Sequence, residues 1–551
     1  MEQLIASPEK TQLPARLQNL ATAIEAEREM TPRLARQLLL KANLQPEDLA
    51  SLVDFGHPAS DSYGRKLIYD GGFFEMMAMA WLPGDFSAIH DHGHTQWGAV
   101  QIFGPAEHAV FLVQDGEIKT LTRAPVKTGQ VLSVGHQIVH QMGNNTSSNF
   151  VSFHLYGSYH RQGDITSCAR IYDLQENMIQ RTDGGVFFSL PEDQITQREA
   201  GPLPDYLTWL RHSVELLNRL NKMKTTGDLT APLESRINSL IDGFFDPTHW
   251  QWFEEDVMRH VDADSGHMED PGYWKLLRSE LTAAAKLEKK LLFEDNRADP
   301  FFTYAELYDD VVGLPCLEEF MASYLKFAAK KYHWPMGNLK LLSIGCGTGL
   351  VEAFMIEQLG VKRENLLGID LSEAMIRMAQ RRIPARTGNI LLQNSSATEW
   401  DITYCGLNVF QYMKAEDMEQ GIEAAAQITK SEGFFMGDFI TPDHIRWYPH
   451  VIRSQSGEVI SLRNPQLVEK GNRTYQESEI INVSRRTDKM IITHEGKHLR
   501  FMPPLWRLRQ RFQAAFKGPV DVYDAVTLEP IHDNADTCPS TRYLIIAQKK
   551  R

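Results

Sequence analysis

Hydrophobic and polar positions change their period three times along this chain. Residues 1–60 carry apolar positions at three- and four-residue spacing, in PARLQNLATAIEAE and TPRLARQLLLKA, which predicts amphipathic helices. Between about 65 and 160 the period shortens. KLIYDGGFFEMMAMAWL, WGAVQIFG, HAVFLVQDGEIKTLTRA, GQVLSV and NFVSFHLYG are strand-like runs separated by Gly, Asp and Asn turns. Many short strands with little helix predict a sandwich or small barrel. Helical spacing returns over 200–335, in PDYLTWLRHSVELLNRLNKM, LESRINSLIDGFF and GYWKLLRSELTAAAKLEKKLL. From 339 onwards strands and helices alternate, the pattern of a parallel α/β sheet. The chain therefore reads as multidomain: an all-β domain with flanking helices over 1–195, a helical connector over 196–300 and an α/β domain over 301–551. The loop VDADSGHMEDPG (261–272) reads as the flexible link.

At 551 residues the chain is too long for one ordinary domain, which agrees with this division. A net charge of −14 argues against broad nucleic-acid binding, which needs a basic face, and against an anionic membrane surface. No apolar run reaches the ~18 residues needed to span a bilayer. The start, MEQLIASPEKTQLPARLQNL, lacks a basic-then-apolar leader pattern. Five scattered cysteines suggest reduced thiols and a cytoplasmic location.

The stretch HDHGHTQWG (90–98) places three histidines in five positions between apolar runs. His90 and His92 would alternate along one strand and face the same way. His140 on a distant strand could complete an all-nitrogen facial set, which suits a first-row metal and leaves positions open. His94 and His136 fit no motif position and read as structural.

The spacing of Gly84, His90, His92, Gly104, Gly129, His140 and Asn144 resembles the two cupin motifs. Over about 55–190 the chain resembles the cysteine dioxygenase family of thiol dioxygenases, through SYGRKLIYD, PGDFSAIHDHG, WGAVQIFG, IVHQMGN and SFHLYG. The resemblance implies a jelly-roll fold and ferrous iron, Fe(II), on His90, His92 and His140. It implies a relay of Ser152, His154 and Tyr156 beside the metal, and substrate carboxylate binding by Arg65 near Tyr63. An arginine fork suits a carboxylate. The cupin glutamate position falls on Trp97 by spacing, or on Gly98 if WG is the anchor. Animal members carry there a cysteine crosslinked to the tyrosine; here no cysteine is near.

LKLLSIGCGTGLVEAFMIEQLG begins at 339: a strand enters Gly345-Cys346-Gly347-Thr348-Gly349 and a helix leaves. Glycines admit a ligand close to the backbone, and a helix N-terminus offers free N–H groups. A second strand, NLLGID, ends in Asp370, where a carboxylate can hold ribose hydroxyls. Such a loop alone could serve a dinucleotide. G-C-G-T-G, the following Asp and the closing strands VDVYDAVTLEPI and RYLIIAQKK resemble class I S-adenosylmethionine-dependent methyltransferases over roughly 300–551. The resemblance places Gly345, Gly347 and Gly349 at the methionine end, Asp370 on the ribose, and Leu371, Met375, Ser396 and Ala397 around the adenine. Asn408 and Gln411 would face the transferring methyl. Ser343 stands where an acidic residue is usual, and Cys346 reads as a packed loop residue.

Together these readings imply a Rossmann-like class I methyltransferase fused behind a thiol dioxygenase. A small carboxylate-bearing thiol and dioxygen would give a sulfinate, and S-adenosylmethionine would then methylate the same molecule. The alternatives are a methyltransferase acting on an unrelated small molecule, or a cupin serving as a non-catalytic sensor.

Overall fold

A computed structural model describes all residues except 1–12, 160–164, 229, 293–298, 300, 393–398 and 533–539. Two compact units result, Met1–Asp246 and Pro247–Arg551.

The strands of the first unit are β1 (Gly64–Asp70), β2 (Phe74–Trp81), β3 (Trp97–Phe103), β4 (Ala106–Gln114), β5 (Glu117–Val126), β6 (Val131–Gly135), β7 (Val139–Gly143), β8 (Phe150–Gly157), β9 (Ala169–Asp173), β10 (Met178–Thr182), β11 (Ile195–Ala200) and β12 (Leu203–Pro204). They form three sheets, ordered β1-β2-β8-β3-β6, β12-β5-β4-β7 and β11-β10-β9. The period-2 rule explains how the first sheet is covered. On β2, Met76 and Ala78 face a core shared with Leu17, Leu20 and Leu39 of helices α1 (Ala15–Glu25) and α2 (Pro32–Ala42). Met77, Met79 and Trp81 face the other way, into a core shared with Met142 of β7 and Ile171 of β9. FEMMAMAW is therefore buried along its whole length, as a strand covered on both faces must be.

The expected connector does not form a body of its own. Its first helices, α3 (Tyr206–Thr226) and α4 (Ala231–Phe244), belong to the first unit. Arg219 of α3 donates to the carbonyls of Ala59 and Ser62 and to Asp85, and the Thr208 hydroxyl accepts from the Thr120 N–H. Residues from Pro247 pack with the second unit, so the break falls inside the predicted connector. Nor is 261–272 a link. Val261 bridges Met268, the Gly266 carbonyl accepts from His450 and Val451, and Met268 N–H donates to His450, all within the second unit.

The second unit centres on β13 (Leu341–Ile344), β14 (Leu366–Asp370), β15 (Ala385–Thr387), β16 (Trp400–Cys405) and β17 (Thr429–Ile440), with further strands β18 (Val451–Arg453), β19 (Val459–Lys470), β20 (Arg473–Arg485), β21 (Met490–Phe501), β22 (Lys517–Asp524) and β23 (Arg542–Lys549). The main sheet runs β15-β14-β13-β16-β17-β23-β22. It is parallel as far as β17, and β23 runs antiparallel to both β17 and β22. Apolar side chains cover it on both faces: Leu342, Ile344, Phe435 and Ile545 enter one core, Leu341, Ile402, Met436 and Leu544 the other. Strands β18 to β21 form a separate antiparallel sheet that the alternating pattern did not predict. Its buried positions include Ser461, Arg463, Gln476, Ser478, Asn482 and Arg500, so polar residues hide the period of two. No helix among the described residues is long and apolar enough to cross a membrane.

Candidate functional sites

His90 does not sit on a long regular strand. It is held by an isolated antiparallel bridge to His140, with His90 N–H to His140 O at 3.0 Å and the reverse bond at 2.9 Å. His92 follows just before the turn at Gly93 (φ +51°). Backbone pairing, more than strand alternation, thus brings the three rings together. One ligand atom from each of His90, His92 and His140 lies within 4.8 Å of the others. Nε2 of His92 and Nε2 of His140 are 3.1 Å apart. The outer nitrogens are fixed: His90 Nδ1 meets the Ala88 carbonyl at 2.8 Å, and His140 Nδ1 meets Nε2 of His108 on β4 at 2.7 Å. His92 Nδ1 is buried without a partner among the described residues. Burial disfavours the imidazolium in all three rings, bringing His90 down to about 4 and holding His92 and His140 well below the usual imidazole range. Three neutral imidazoles with converging lone pairs are a donor set for a metal.

Strand β8 carries the predicted relay on one face. Trp81 Nε1 donates to Ser152 Oγ (2.8 Å), Ser152 Oγ lies 2.7 Å from His154 Nε2, and His154 Nδ1 lies 2.7 Å from the Tyr156 hydroxyl. Burial brings His154 down to about 3 and raises Tyr156 well above an ordinary phenol, so both stay neutral. When Ser152 donates to Nε2, the Nδ1 proton points at Tyr156 and frees the phenol hydrogen for the cavity. Gly98 pairs with Tyr156 across β3 and β8, and a Cβ there would meet the ring at 3.0 Å. Of the two anchors, Gly98 and not Trp97 lies against the tyrosine.

Tyr63, Arg65, Trp81, the three histidines, His154 and Tyr156 line one cavity. Arg65 is exposed and donates to Thr166 Oγ1 at 2.9 Å. Tyr63 is buried, stacks on Trp81 at 4.7 Å and accepts from the Val186 N–H. His94 and His136 stand apart, on Ser167 Oγ and the Thr95 carbonyl. Trp81, His108 and Thr166 belong to the site but lie outside any motif spacing. Only the register of β4 on β7 makes His108 visible.

In the second unit Gly345, Gly347 and Gly349 all have positive φ, at +68°, +54° and +76°. A Cβ on Gly347 would meet nothing within 4 Å, which leaves a bare cradle at the N-terminus of the helix Leu350–Leu359. Asp370 receives the N–H groups of Gly347 and Ser372, each at 2.9 Å; burial raises its carboxyl. Leu371 is 68% exposed, while Met375 is buried against Ala305 and Ala374, so Leu371 alone of the two presents an open apolar face. Ser396 and Ala397 lie outside the described residues. Asn408 is buried with φ +51° and faces Arg542. Gln411 corrects the sequence reading: it is fully buried, donates to the Ile440 and Phe501 carbonyls at 3.0 Å and accepts from Ile440 N–H at 2.7 Å. Its amide is used up in the fold and cannot face a methyl group. Ser343 donates to buried Glu352 at 2.5 Å, so the carboxyl missing from 343 comes from the following helix. Cys346 is buried and its thiol is raised, mainly by burial, which fits a packed loop residue. Sequence reasoning also missed a strap: Asp299 accepts from Ser372 Oγ at 2.6 Å, and Asp309 from Thr348 Oγ1 and Arg382.

Residues 341–433 match a family model described as a methyltransferase domain. The second unit contains a methyltransferase domain. Its sheet, with a last strand inserted antiparallel, has the Rossmann-like class I arrangement. Solved structures similar to the chain include an S-adenosylmethionine-dependent methyltransferase from Clostridium acetobutylicum, at 15% identity over 45% of this chain and 98% of that one (TM-score 0.36). DesVI from Streptomyces venezuelae matches at 15% identity over 45% and 98% (TM-score 0.34). An amino pentose methyltransferase from Micromonospora echinaspora, solved with S-adenosylmethionine, matches at 15% identity over 41% and 89% (TM-score 0.30).

Proposed function

We propose that the first unit is a cupin-type jelly-roll Fe(II) thiol dioxygenase and that the second methylates the same small molecule from S-adenosylmethionine. The observation that carries the first half is the convergence of buried, neutral His90, His92 and His140 beside the Ser152–His154–Tyr156 chain. The family match over 341–433 and the open cradle at Gly347 carry the second. Among the described residues Cys168, Cys316, Cys346 and Cys405 are unpaired, which supports a reducing, cytoplasmic setting.

Fe(II) on the three histidines, when bound, supplies open positions for a thiol sulfur and dioxygen. Arg65 at the cavity lining holds the substrate carboxylate through its fork. Tyr156, oriented by His154 and Ser152, directs its hydroxyl hydrogen at the substrate or at oxygen. The thiolate takes both atoms of dioxygen and leaves as a sulfinate, RS⁻ + O₂ → RSO₂⁻. S-adenosylmethionine, when bound, supplies an electrophilic methyl group. The sulfinate or carboxylate forms the new bond with a lone pair, and the old C–S pair returns to sulfur, so an anionic acceptor needs no general base. Asp370 and the glycine loop position the donor.

The test is iron content and oxygen uptake with cysteine and 3-mercaptopropionate, in wild type and His140→Ala. Iron-dependent uptake in the wild type and loss of both iron and uptake in the variant are expected. Full iron loading by the variant would overturn the ligand assignment.

A further inference from the structure

Arg463 on β19 and Arg500 on β21 are buried, at 4% and 8% exposure, and neither forms an ion pair among the described residues. Arg542, the other buried arginine among this unit's described residues, is paired with Asp438. Taking a guanidinium out of water without a counter-charge is strongly unfavourable. What surrounds this pair is neutral: phenols, with Ser461 Oγ accepting from Arg463 at 3.3 Å and Gln476 Oε1 from Arg500 at 3.5 Å. Arg463 donates to the hydroxyls of Tyr448 (2.9 Å) and Tyr304 (3.2 Å). Arg500 donates to the Tyr412 hydroxyl at 2.6 Å and lies over the Tyr412 and Tyr448 rings, 4.9 and 5.6 Å from their centroids. Phenol oxygens satisfy some donors but cancel no charge. Further donors are unspent: Arg500 Nε and Gln476 Nε2 are buried with no hydrogen-bond partner among the described residues.

Two chain segments link the cluster to the glycine loop. Tyr412 ends the turn begun by Val409, whose side chain packs on Gly345 so closely that a Cβ there would lie 2.4 Å away. Tyr304 lies in the strap that holds Ser372 through Asp299 and Thr348 through Asp309. The tyrosines of the cluster and the residues packed on the glycine loop are thus carried by the same segments.

We infer that Arg463 and Arg500 form the acceptor subsite of the methyltransferase and hold the acid group of a small anionic substrate. Two forks over an aromatic floor suit planar or tetrahedral oxyanions: carboxylate, sulfinate or phosphate. The inference rests on the methyltransferase reading and narrows its acceptor to an acid. The sulfinate made by the first unit has this chemistry.

The test uses the full chain in an Arg65→Ala background, which removes the anion grip of the first unit. Calorimetry measures S-adenosylhomocysteine binding first. L-cysteinesulfinate, hypotaurine, propionate and inorganic phosphate are then titrated into the complex. At least one anion should bind, and the rank among the four identifies the acid group. Arg463→Gln and Arg500→Gln should each weaken that anion more than tenfold and leave S-adenosylhomocysteine within twofold. Both should melt, unliganded, at or above the wild-type temperature, because an unpaired charge is gone; a purely structural arginine would lower it. Arg500→Lys, which keeps the charge and loses the fork, should bind with intermediate affinity. Binding of S-adenosylhomocysteine without any anion, or equal anion binding by the variants, overturns the inference. Failure to bind S-adenosylhomocysteine removes the methyltransferase reading itself, and the inference with it.

Discussion

The histidine site and the arginine site answer opposite electrostatic problems. Around His90, His92 and His140 nearly every polar atom is matched, and burial keeps the rings uncharged. Neutral lone pairs pointing at one spot prepare a place for a cation. Around Arg463 and Arg500 the charge is already present and has no ion-pair partner among the described residues. An unbalanced buried cation prepares a place for an anion. In both proposed sites the protein leaves unsatisfied what a ligand would satisfy. The difference lies in the sign of what is missing.

The sharpest way to break this comparison is to silence one site and watch the other. Asp370→Ala should weaken S-adenosylmethionine binding by about 2–4 kcal/mol, roughly 30- to 1000-fold, since two charge-assisted bonds to the ribose are lost. Oxygen uptake should stay at the wild-type rate, measured at an oxygen electrode beside labelled methyl transfer. A fall in uptake would mean that the two sites are not separable.

How far each site could be read from the sequence follows from its chemistry. Metal ligands and glycine loops impose spacing, so His90, His92, His140, Gly345, Gly347, Gly349 and Asp370 stood out. Their supports did not. His108 reaches His140 only through the register of β4 on β7, and Trp81 reaches Ser152 only across β2 and β8. Gln411 looked like a site residue because it follows the fourth strand of the sheet, but its amide is taken by Ile440 and Phe501. The arginine sheet escaped notice for a related reason. Buried polar side chains on β19 to β21 erase the alternation by which strands are recognised. The domain break was misplaced because α3 carries helical periodicity whichever body it packs on.

A smaller effect sharpens the first half of the comparison. His108→Ala removes the partner of His140 Nδ1 without touching a ligand. Iron affinity should fall roughly 10- to 100-fold by competition with a chelator, as for other outer-shell partners of metal-bound histidine, with methyl transfer unchanged. An unaltered affinity would show that His140 is oriented by its backbone bridge alone.

The mildest test is pH. Burial pushes the Tyr448 phenol up, but Arg463 and Arg500 outweigh it and bring it down to about 8. Ser478, His444 and Tyr304 are its other polar neighbours. Below 8 the phenol is neutral and the arginines are available. As pH rises through about 8 the phenolate neutralises part of their charge, so the KM of an anionic acceptor should rise severalfold. Tyr448→Phe should flatten that profile, and oxygen uptake should not follow it. A KM that is flat across this range in the wild type would mean that the acceptor's charge is not read by this pair.

The central claim is that the two chemistries act in sequence on one molecule. Mass spectrometry of the products from cysteine-like thiols, with iron, oxygen and the full chain, tests it most directly. Without S-adenosylmethionine the account predicts accumulation of the sulfinate, carrying two oxygen atoms from dioxygen. With S-adenosylmethionine it predicts that this species gives way to one bearing those two oxygens and a methyl group. Sulfinate that persists unchanged while S-adenosylmethionine is present, or methylation of the thiol without oxygen, would contradict it.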